Sequence, residues 1–329
     1  MTSPSIDFAD PELEAAIRSG LDTVEVMLRS AVKSDYPFVT ETSQHLVAAG
    51  GKRFRPLVVL LAAQFGDPAA PGVVPAAVVV ELTHLATLYH DDVMDEALLR
   101  RGAVSANSRW GNTVAILTGD FLFARASDIL ADLGPEAVRL QARTFERLVQ
   151  GQIRETVGPQ DEDDPVEHYL RVVADKTGSL IGTSGRFGAM LSGADESATE
   201  VLTRFGERIG VAFQLSDDLI DVAAETVDSG KTPGTDLREG VPTLPVLLLR
   251  RAARSDDGDL IRALAGDLSD DRRLADTVAR LRDHPVMDEA RRVLQSWADD
   301  ARATLAPLPD GPAKSALESL CTFVVRRTG

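Results

Sequence analysis

Two aspartate triads carry the chemistry open to this sequence: Asp91-Asp92-x-x-Asp95 and Asp217-Asp218-x-x-Asp221. On a helix, residues four apart stack on one face a turn apart. Asp91 therefore sits over Asp95 and Asp217 over Asp221, with Asp92 and Asp218 offset by one residue. Each triad lies in apolar surroundings of helical period, Leu82 to Met94 and Val211 to Val222. Bunched carboxylates repel, and like charges at this spacing destabilise a helix. One such cluster in a chain of net charge −16 reads as an exposed acidic face. Two copies, each set in an apolar helix, need a counter-charge. Magnesium supplies it, because it takes oxygen ligands, keeps several waters, and binds through one or two carboxylates plus substrate phosphates.

An anionic substrate also needs donors. Gly50-Gly51-Lys52-Arg53-Phe54-Arg55-Pro56 puts three cations on a loop that opens a helix, where free amides add to the anion-binding field. Arg100-Arg101-Gly102, Lys176-Thr177-Gly178 and Lys231-Thr232 complete the set. A single basic pair is a solvated face; four groups around two carboxylate clusters point to phosphate recognition. His84 precedes Asp91 by seven residues, two turns, and so shares its face, which favours a ligand role. His90 lacks that placement and reads as structural or as a support behind the ligands. Gly230-Lys231-Thr232 imitates the end of a nucleotide-binding P-loop, but Glu225 replaces the required glycine and Pro233-Gly234 follows where a helix should start.

These residues need long helices to position them. Apolar residues recur at three-and-four spacing, alternation of the strand type is hard to find, and only 5% of residues are aromatic. Starts are expected at Asp10-Pro11, Pro56, Pro75, Pro135, Pro165, Pro242 and Pro285, and ends at Gly50-Gly51, Gly134, Gly158 and Gly193. The acidic run Asp161 to Asp164 reads as a solvated loop. With 329 residues, 44% of them hydrophobic, and no linker-like stretch, a single all-helical domain over 1–329 is the simplest architecture. The acidic excess argues against nucleic acid. Cys321 is the lone cysteine, which fits a reducing, cytoplasmic setting. Met1 to Glu12 has neither the basic nor the apolar part of a signal peptide, and the run Val73 to Tyr89 is broken by Pro75, Glu81 and His84, so no membrane span is expected.

From about Gly50 to Pro245 the chain resembles the trans-type (all-E) polyprenyl diphosphate synthases. The resemblance rests on GGKRFRP at 50–56, HLATLYHDDVMDEALLRRG at 84–102, GD at 119–120, KTG at 176–178, QLSDDLID at 214–221 and GKTPGTDLREGVPTLP at 230–245. It implies an all-α bundle of the isoprenoid synthase type with a central cavity, a homodimer, and condensation of isopentenyl diphosphate with an allylic diphosphate. By the same resemblance, Asp91, Asp95, Asp217 and Asp221 hold magnesium ions, and Asp92 and Asp218 complete the motifs. Lys52, Arg55, His84 and Arg101 match positions for isopentenyl diphosphate. Arg100, Lys176, Thr177, Gln214 and Lys231 match positions around the allylic diphosphate.

Product length follows from the helix leading to Asp91. Residues four and five before it, Thr87 and Ala86, are the first floor for a growing chain, where short-chain members of the family carry a bulky aromatic. Thr83, Leu82, Val80 and Val79 lie deeper, and none is aromatic. An open face of several turns at about 5.4 Å per turn predicts a product of about thirty to fifty carbons, a precursor of a quinone side chain. A floor from Phe121-Leu122-Phe123 would instead give a geranylgeranyl or farnesylgeranyl product. A class I terpene cyclase would leave the basic loop idle and replace the second triad by an Asn/Ser/Glu pattern. A non-catalytic synthase subunit would lose aspartates or basic residues that this chain keeps.

Overall fold

Asp10 opens the first helix as its residue type requires: its carboxylate accepts the Leu13 amide at 2.8 Å, and Pro11 takes the first helical position. The computed structural model describes residues 8–223, 233–254 and 256–328. Lys231, with Gly230 and Thr232, lies outside these residues.

The chain groups into two compact units. The first comprises Met1–Glu146, Leu180–Glu207 and Thr304–Ser319, and the second Arg147–Ser179, Arg208–Ala303 and Leu320–Gly329. In chain order the helices are α1 (Pro11–Ala31), α2 (Pro37–Ala48), α3 (Phe54–Ala62), α4 (Val73–Met94), α5 (Ala106–Trp110), α6 (Asn112–Leu133), α7 (Pro135–Val157) and α8 (Pro165–Val173). There follow α9 (Ser179–Ser192), α10 (Glu196–Ala223), α11 (Thr235–Arg238), α12 (Leu244–Ala252), α13 (Gly258–Leu264), α14 (Asp271–Arg282), α15 (Val286–Thr304) and α16 (Pro312–Arg326). A π-helical segment, Ala174–Gly178, joins α8 to α9. Among the described residues the only sheet is a hairpin of β1 (Leu99–Arg100) and β2 (Ala103–Val104). The all-helical expectation holds. Three starts move by two residues: α3 begins at Phe54 and α4 at Val73, ahead of Pro56 and Pro75, and α12 begins at Leu244, with Pro245 in its first turn, rather than at Pro242.

In the first unit α4 is the core helix. Val73, Ala76, Ala77, Val78, Val79, Val80, Leu82, Leu85, Ala86 and Tyr89 are all fully buried, so apolar residues cover every face of it. It packs against α1, α3 and α6. Its length and apolarity would suffice to cross a membrane, but two-thirds of its most apolar window is buried inside the protein. Its C-terminal end brings Asp91 and the C-cap Asp95 out of that core and leaves Asp92 buried. In the second unit Pro165 follows the Asp164 cap of α8, whose carboxylate accepts the amides of Val166 and Glu167. The acidic loop thus ends in a helix cap. Residues 208–223 of α10 carry the second triad.

Candidate active site

The two triads share one local design. Asp91 is half-buried, Asp95 is exposed as the C-cap of α4, and Asp92 between them is fully buried. The Asp92 carboxylate accepts from Arg100 Nε, and Arg100 Nη2 stands 3.6 Å from Asp95. Burial raises the Asp92 carboxyl above the ordinary carboxylate range, and the Arg100 guanidinium partly offsets that rise. In the second unit Asp217 and Asp221 are half-buried and Asp218 is buried. Asp218 accepts from the Tyr169 hydroxyl and, at 2.8 Å, from Gln214 Nε2. Burial pushes its carboxyl up to about 7, with those two donors pulling the other way. The middle aspartate of each triad is therefore a bonded, internal strut, and the outer pair is the accessible part.

Arg100 stands on a hairpin whose turn is Arg101-Gly102, at φ 54° and 76°, the positive pair that a type I′ turn requires. From there Arg101 Nη1 donates to the carbonyls of Gly50 and, at 3.3 Å, Leu46, and Nη2 lies 3.4 Å from His84 Nε2. His84 is held neutral: burial first, then the fields of Arg55, Arg101, Arg53 and Arg100, lower its pKa well below 6.5. The structure thus brings His84, Arg101 and Arg55 into one field. Lys52 is exposed and Arg55 half-buried at the start of α3.

Arg53 is a correction to the sequence reading, which counted it among three cations on an anion-binding loop. It is buried, and its guanidinium makes four hydrogen bonds and ion pairs with two glutamates. Nε and Nη2 reach Glu25 at 3.0 Å, and Nη1 reaches Glu81 at 2.9 Å and the Gly50 carbonyl at 3.3 Å. The second Nη2 donor meets the Val47 carbonyl at 3.3 Å. Its backbone is left-handed, φ 51° and ψ 36°, a conformation that costs a residue with a Cβ about 1–2 kcal/mol. Neighbouring Gly51 has φ 152°, which favours glycine, and a Cβ there would lie 2.9 Å from the Nη1 atoms of both Arg53 and Arg101.

Along α4, Ala86 is fully buried and Thr87 half-buried, its hydroxyl donating to the His84 carbonyl at 2.8 Å. Thr83 is buried, and Gln141 Nε2 of α7 donates to its hydroxyl at 2.8 Å, a polar crosslink that spacing on α4 does not announce. The Phe123 ring lies 5.8 Å from His90 and 4.4 Å from Phe145. It therefore stands beside the residue next to Asp91 and not several turns beneath it. His90 itself is structural, its Nε2 3.2 Å from the Ile116 carbonyl and 3.3 Å from Asp120.

In the second unit, Thr177 Oγ1 donates to Gln214 Oε1 at 3.2 Å, which links the π segment to Asp218 through one amide. Lys176 Nζ pairs with Glu155. Asp175 beside it pairs with Arg147 and Arg154, so residues 147, 151, 154 and 155 form one face of α7 against the segment. A π turn inside helical structure frequently marks a functional site. Asp217 is paired with Arg327, whose guanidinium lies 4.7 Å from the Phe213 ring centroid. Arg327 and Tyr169 are missed by sequence reading, because neither lies in a motif. Asp221 accepts the amides of Thr235 and Asp236 at 3.2 Å.

Among the described residues no three carboxylate or imidazole groups close into a cation cage. The donor set still fits magnesium. It offers oxygen ligands in partly exposed pairs, which is what an ion needs when it keeps waters and takes its remaining ligands from phosphate.

A family model described as polyprenyl synthetase matches residues 36–281. The nonaprenyl diphosphate synthase of Mycobacterium tuberculosis is 49% identical over 98% of this chain and 97% of its own length. Among solved structures, a geranylgeranyl pyrophosphate synthase from Corynebacterium glutamicum, complexed with calcium and isoprenyl diphosphate, superposes with a TM-score of 0.87. That match has 47% identity and covers 98% of this chain and 100% of that one. A decaprenyl diphosphate synthase from Rhodobacter capsulatus gives a TM-score of 0.86 at 33% identity, covering 97% and 99%. Two triads of one local design, the basic loop at 50–56 and a family match over most of the chain agree, and the chain belongs to the polyprenyl synthetase family.

Proposed function

We propose that this chain is a magnesium-dependent prenyltransferase that condenses isopentenyl diphosphate head-to-tail with an allylic diphosphate. Its product is a long all-trans polyprenyl diphosphate of about thirty to fifty carbons, a precursor of a quinone side chain. The observation that carries this reading is the repeated design, a bonded internal aspartate flanked by an accessible pair, found in both triads.

In this reading Asp91, Asp95, Asp217 and Asp221 hold the magnesium ions of the allylic diphosphate, and Asp92 and Asp218 brace them. Magnesium bound there would neutralise the diphosphate and make it a better leaving group. Lys176, Lys231 and Arg100 stabilise the charge that grows on the departing group. Lys52, Arg55, Arg101 and neutral His84 fix isopentenyl diphosphate so that its double bond faces the allylic carbon. Thr177 and Gln214 connect Lys176's segment to the second triad. The proton lost after carbon–carbon bond formation goes to the released diphosphate, since the motifs contain no strong protein base. Small Ala86 and Thr87 leave the path along α4 open.

The family model runs through both units, which supports one synthase domain over 1–329. Exposed Ile116 and Leu117 on α6 support a homodimer. Cys321, buried and the lone cysteine of the chain, supports a reducing, cytoplasmic setting. A shorter product of twenty to twenty-five carbons is the second reading, favoured by the likeness to a geranylgeranyl pyrophosphate synthase. The test is to incubate the purified protein alone with isopentenyl diphosphate, an allylic starter and magnesium, then chromatograph the dephosphorylated products against prenol standards. Products beyond thirty carbons support the long-chain reading, and twenty-carbon products support the second. No consumption of isopentenyl diphosphate refutes both.

A further inference from the structure

The loop before α3 is organised by a charged cluster buried inside the first unit. Arg53 is its centre, with Glu25 on α1 and Glu81 on α4 as counter-charges, and all three side chains are buried. Arg101 from the hairpin turn converges on the same place, sharing the Gly50 carbonyl with Arg53. Two arginines thus meet two glutamates around one peptide group. Arg53 is buried and its guanidinium is spent on protein carboxylates and carbonyls, which turns it away from a phosphate oxygen. Yet the residue sits between Lys52 and Arg55, in a left-handed conformation that ordinary residues avoid.

A left-handed residue reverses the local course of the chain, so its dihedrals decide how Lys52 before it and Arg55 after it are disposed. A single guanidinium bonded to α1, to α4 and to two carbonyls of the preceding segment over-determines those dihedrals. We infer that Arg53 is a positioning residue for isopentenyl diphosphate: the Glu25–Arg53–Glu81 cluster holds its backbone left-handed, and that turn places Lys52 and Arg55 for the diphosphate without Arg53 touching it. The inference rests on the assignment of Lys52 and Arg55 to isopentenyl diphosphate made above. Lysine cannot replace Arg53, because an ammonium has three donors on one atom and cannot span two carboxylates and two carbonyls in a planar fork.

The test compares three variants of the full-length protein. Arg53→Lys keeps the charge and loses the fork. The triple variant Arg53→Met, Glu25→Gln, Glu81→Gln removes the anchor together with both carboxylates and leaves half-buried Arg101 as the remaining charge of the cluster, which keeps it foldable where Arg53→Met alone would strand two buried carboxylates. Arg55→Ala probes the diphosphate site directly. Steady-state kinetics give KM for each substrate, calorimetric titration of isopentenyl diphosphate without the allylic substrate gives its Kd, and circular dichroism gives Tm. Arg53→Lys and the folded triple variant should each raise KM and Kd for isopentenyl diphosphate about ten-fold or more, leaving the allylic KM within about three-fold. Wild-type Kd for isopentenyl diphosphate in the triple variant would show that Arg53 only balances charge, and overturns the inference. Equal weakening of both substrates overturns it too, since a general loosening would do that. If Arg55→Ala leaves the isopentenyl diphosphate Kd unchanged, the site assignment itself fails and the inference falls with it. A raised Kd in Arg55→Ala beside a normal one in the triple variant rejects the inference alone.

Discussion

Gly151→Ala tests whether α7 sets the position of Lys176. The methyl group added there would lie 2.7 Å from the Lys176 amide nitrogen and 3.0 Å from Asp175 Cβ, where ordinary contact begins at 3.4 Å. The backbone of the π segment must therefore retreat from α7 by about 0.7 Å, the difference between the contact needed and the space present. It is not free to do so, because Arg147 and Arg154 hold Asp175 and Glu155 holds Lys176 from the same face. Overpacking of this kind costs about 1–3 kcal/mol of stability. Displacing Lys176 by most of an ångström weakens a charged hydrogen bond worth about 1.5–3 kcal/mol, a loss of about 10- to 150-fold at full effect. The assay is kcat and both KM values with magnesium present, alongside Tm. We expect kcat/KM for the allylic substrate to fall about ten-fold or more, with KM for isopentenyl diphosphate changed less than about three-fold. Unchanged kcat/KM in a folded variant would refute the reasoning, since the methyl would then be accommodated without moving Lys176.

Asp91→Ala and Asp217→Ala should each abolish turnover, as should a chelator, and circular dichroism should show both folded. Asp217→Ala loses its pair with Arg327 and should lose up to about 1 kcal/mol of stability. His84 is depressed well below 6.5 in the folded protein, so the unfolded chain binds the extra proton and stability falls as pH drops below 6.5. Denaturant titrations from pH 7 to 5 should show the wild type losing up to about 1.4 kcal/mol per pH unit relative to His84→Gln; parallel curves would mean that His84 protonates freely in the fold. Ala86→Phe should shorten the product to about fifteen to twenty carbons, the ring standing about one turn below Asp91. Chromatography of an unshortened product would show that chain growth does not follow this face of α4.

The sequence by itself determined the helices and the two triads. A period of three to four in apolar residues, proline after a capping aspartate at Asp10-Pro11 and Asp164-Pro165, and carboxylates four apart are local features, and local geometry reads them directly. His84 was legible for the same reason, two turns from Asp91 on one helix. Only the tertiary structure decided which charged groups keep access to solvent and which are spent inside the protein. Arg53 and Arg55 are two residues apart and alike in type, yet Arg53 is buried between Glu25 and Glu81, which lie 28 residues away in either direction. Asp218 owes its raised pKa to burial and is bound by Tyr169, 49 residues away, and Asp217 meets Arg327 across 110 residues. Periodicity fixes the face on which a side chain stands. Burial and the choice of partner depend on what the rest of the chain packs against that face, and no local pattern encodes that.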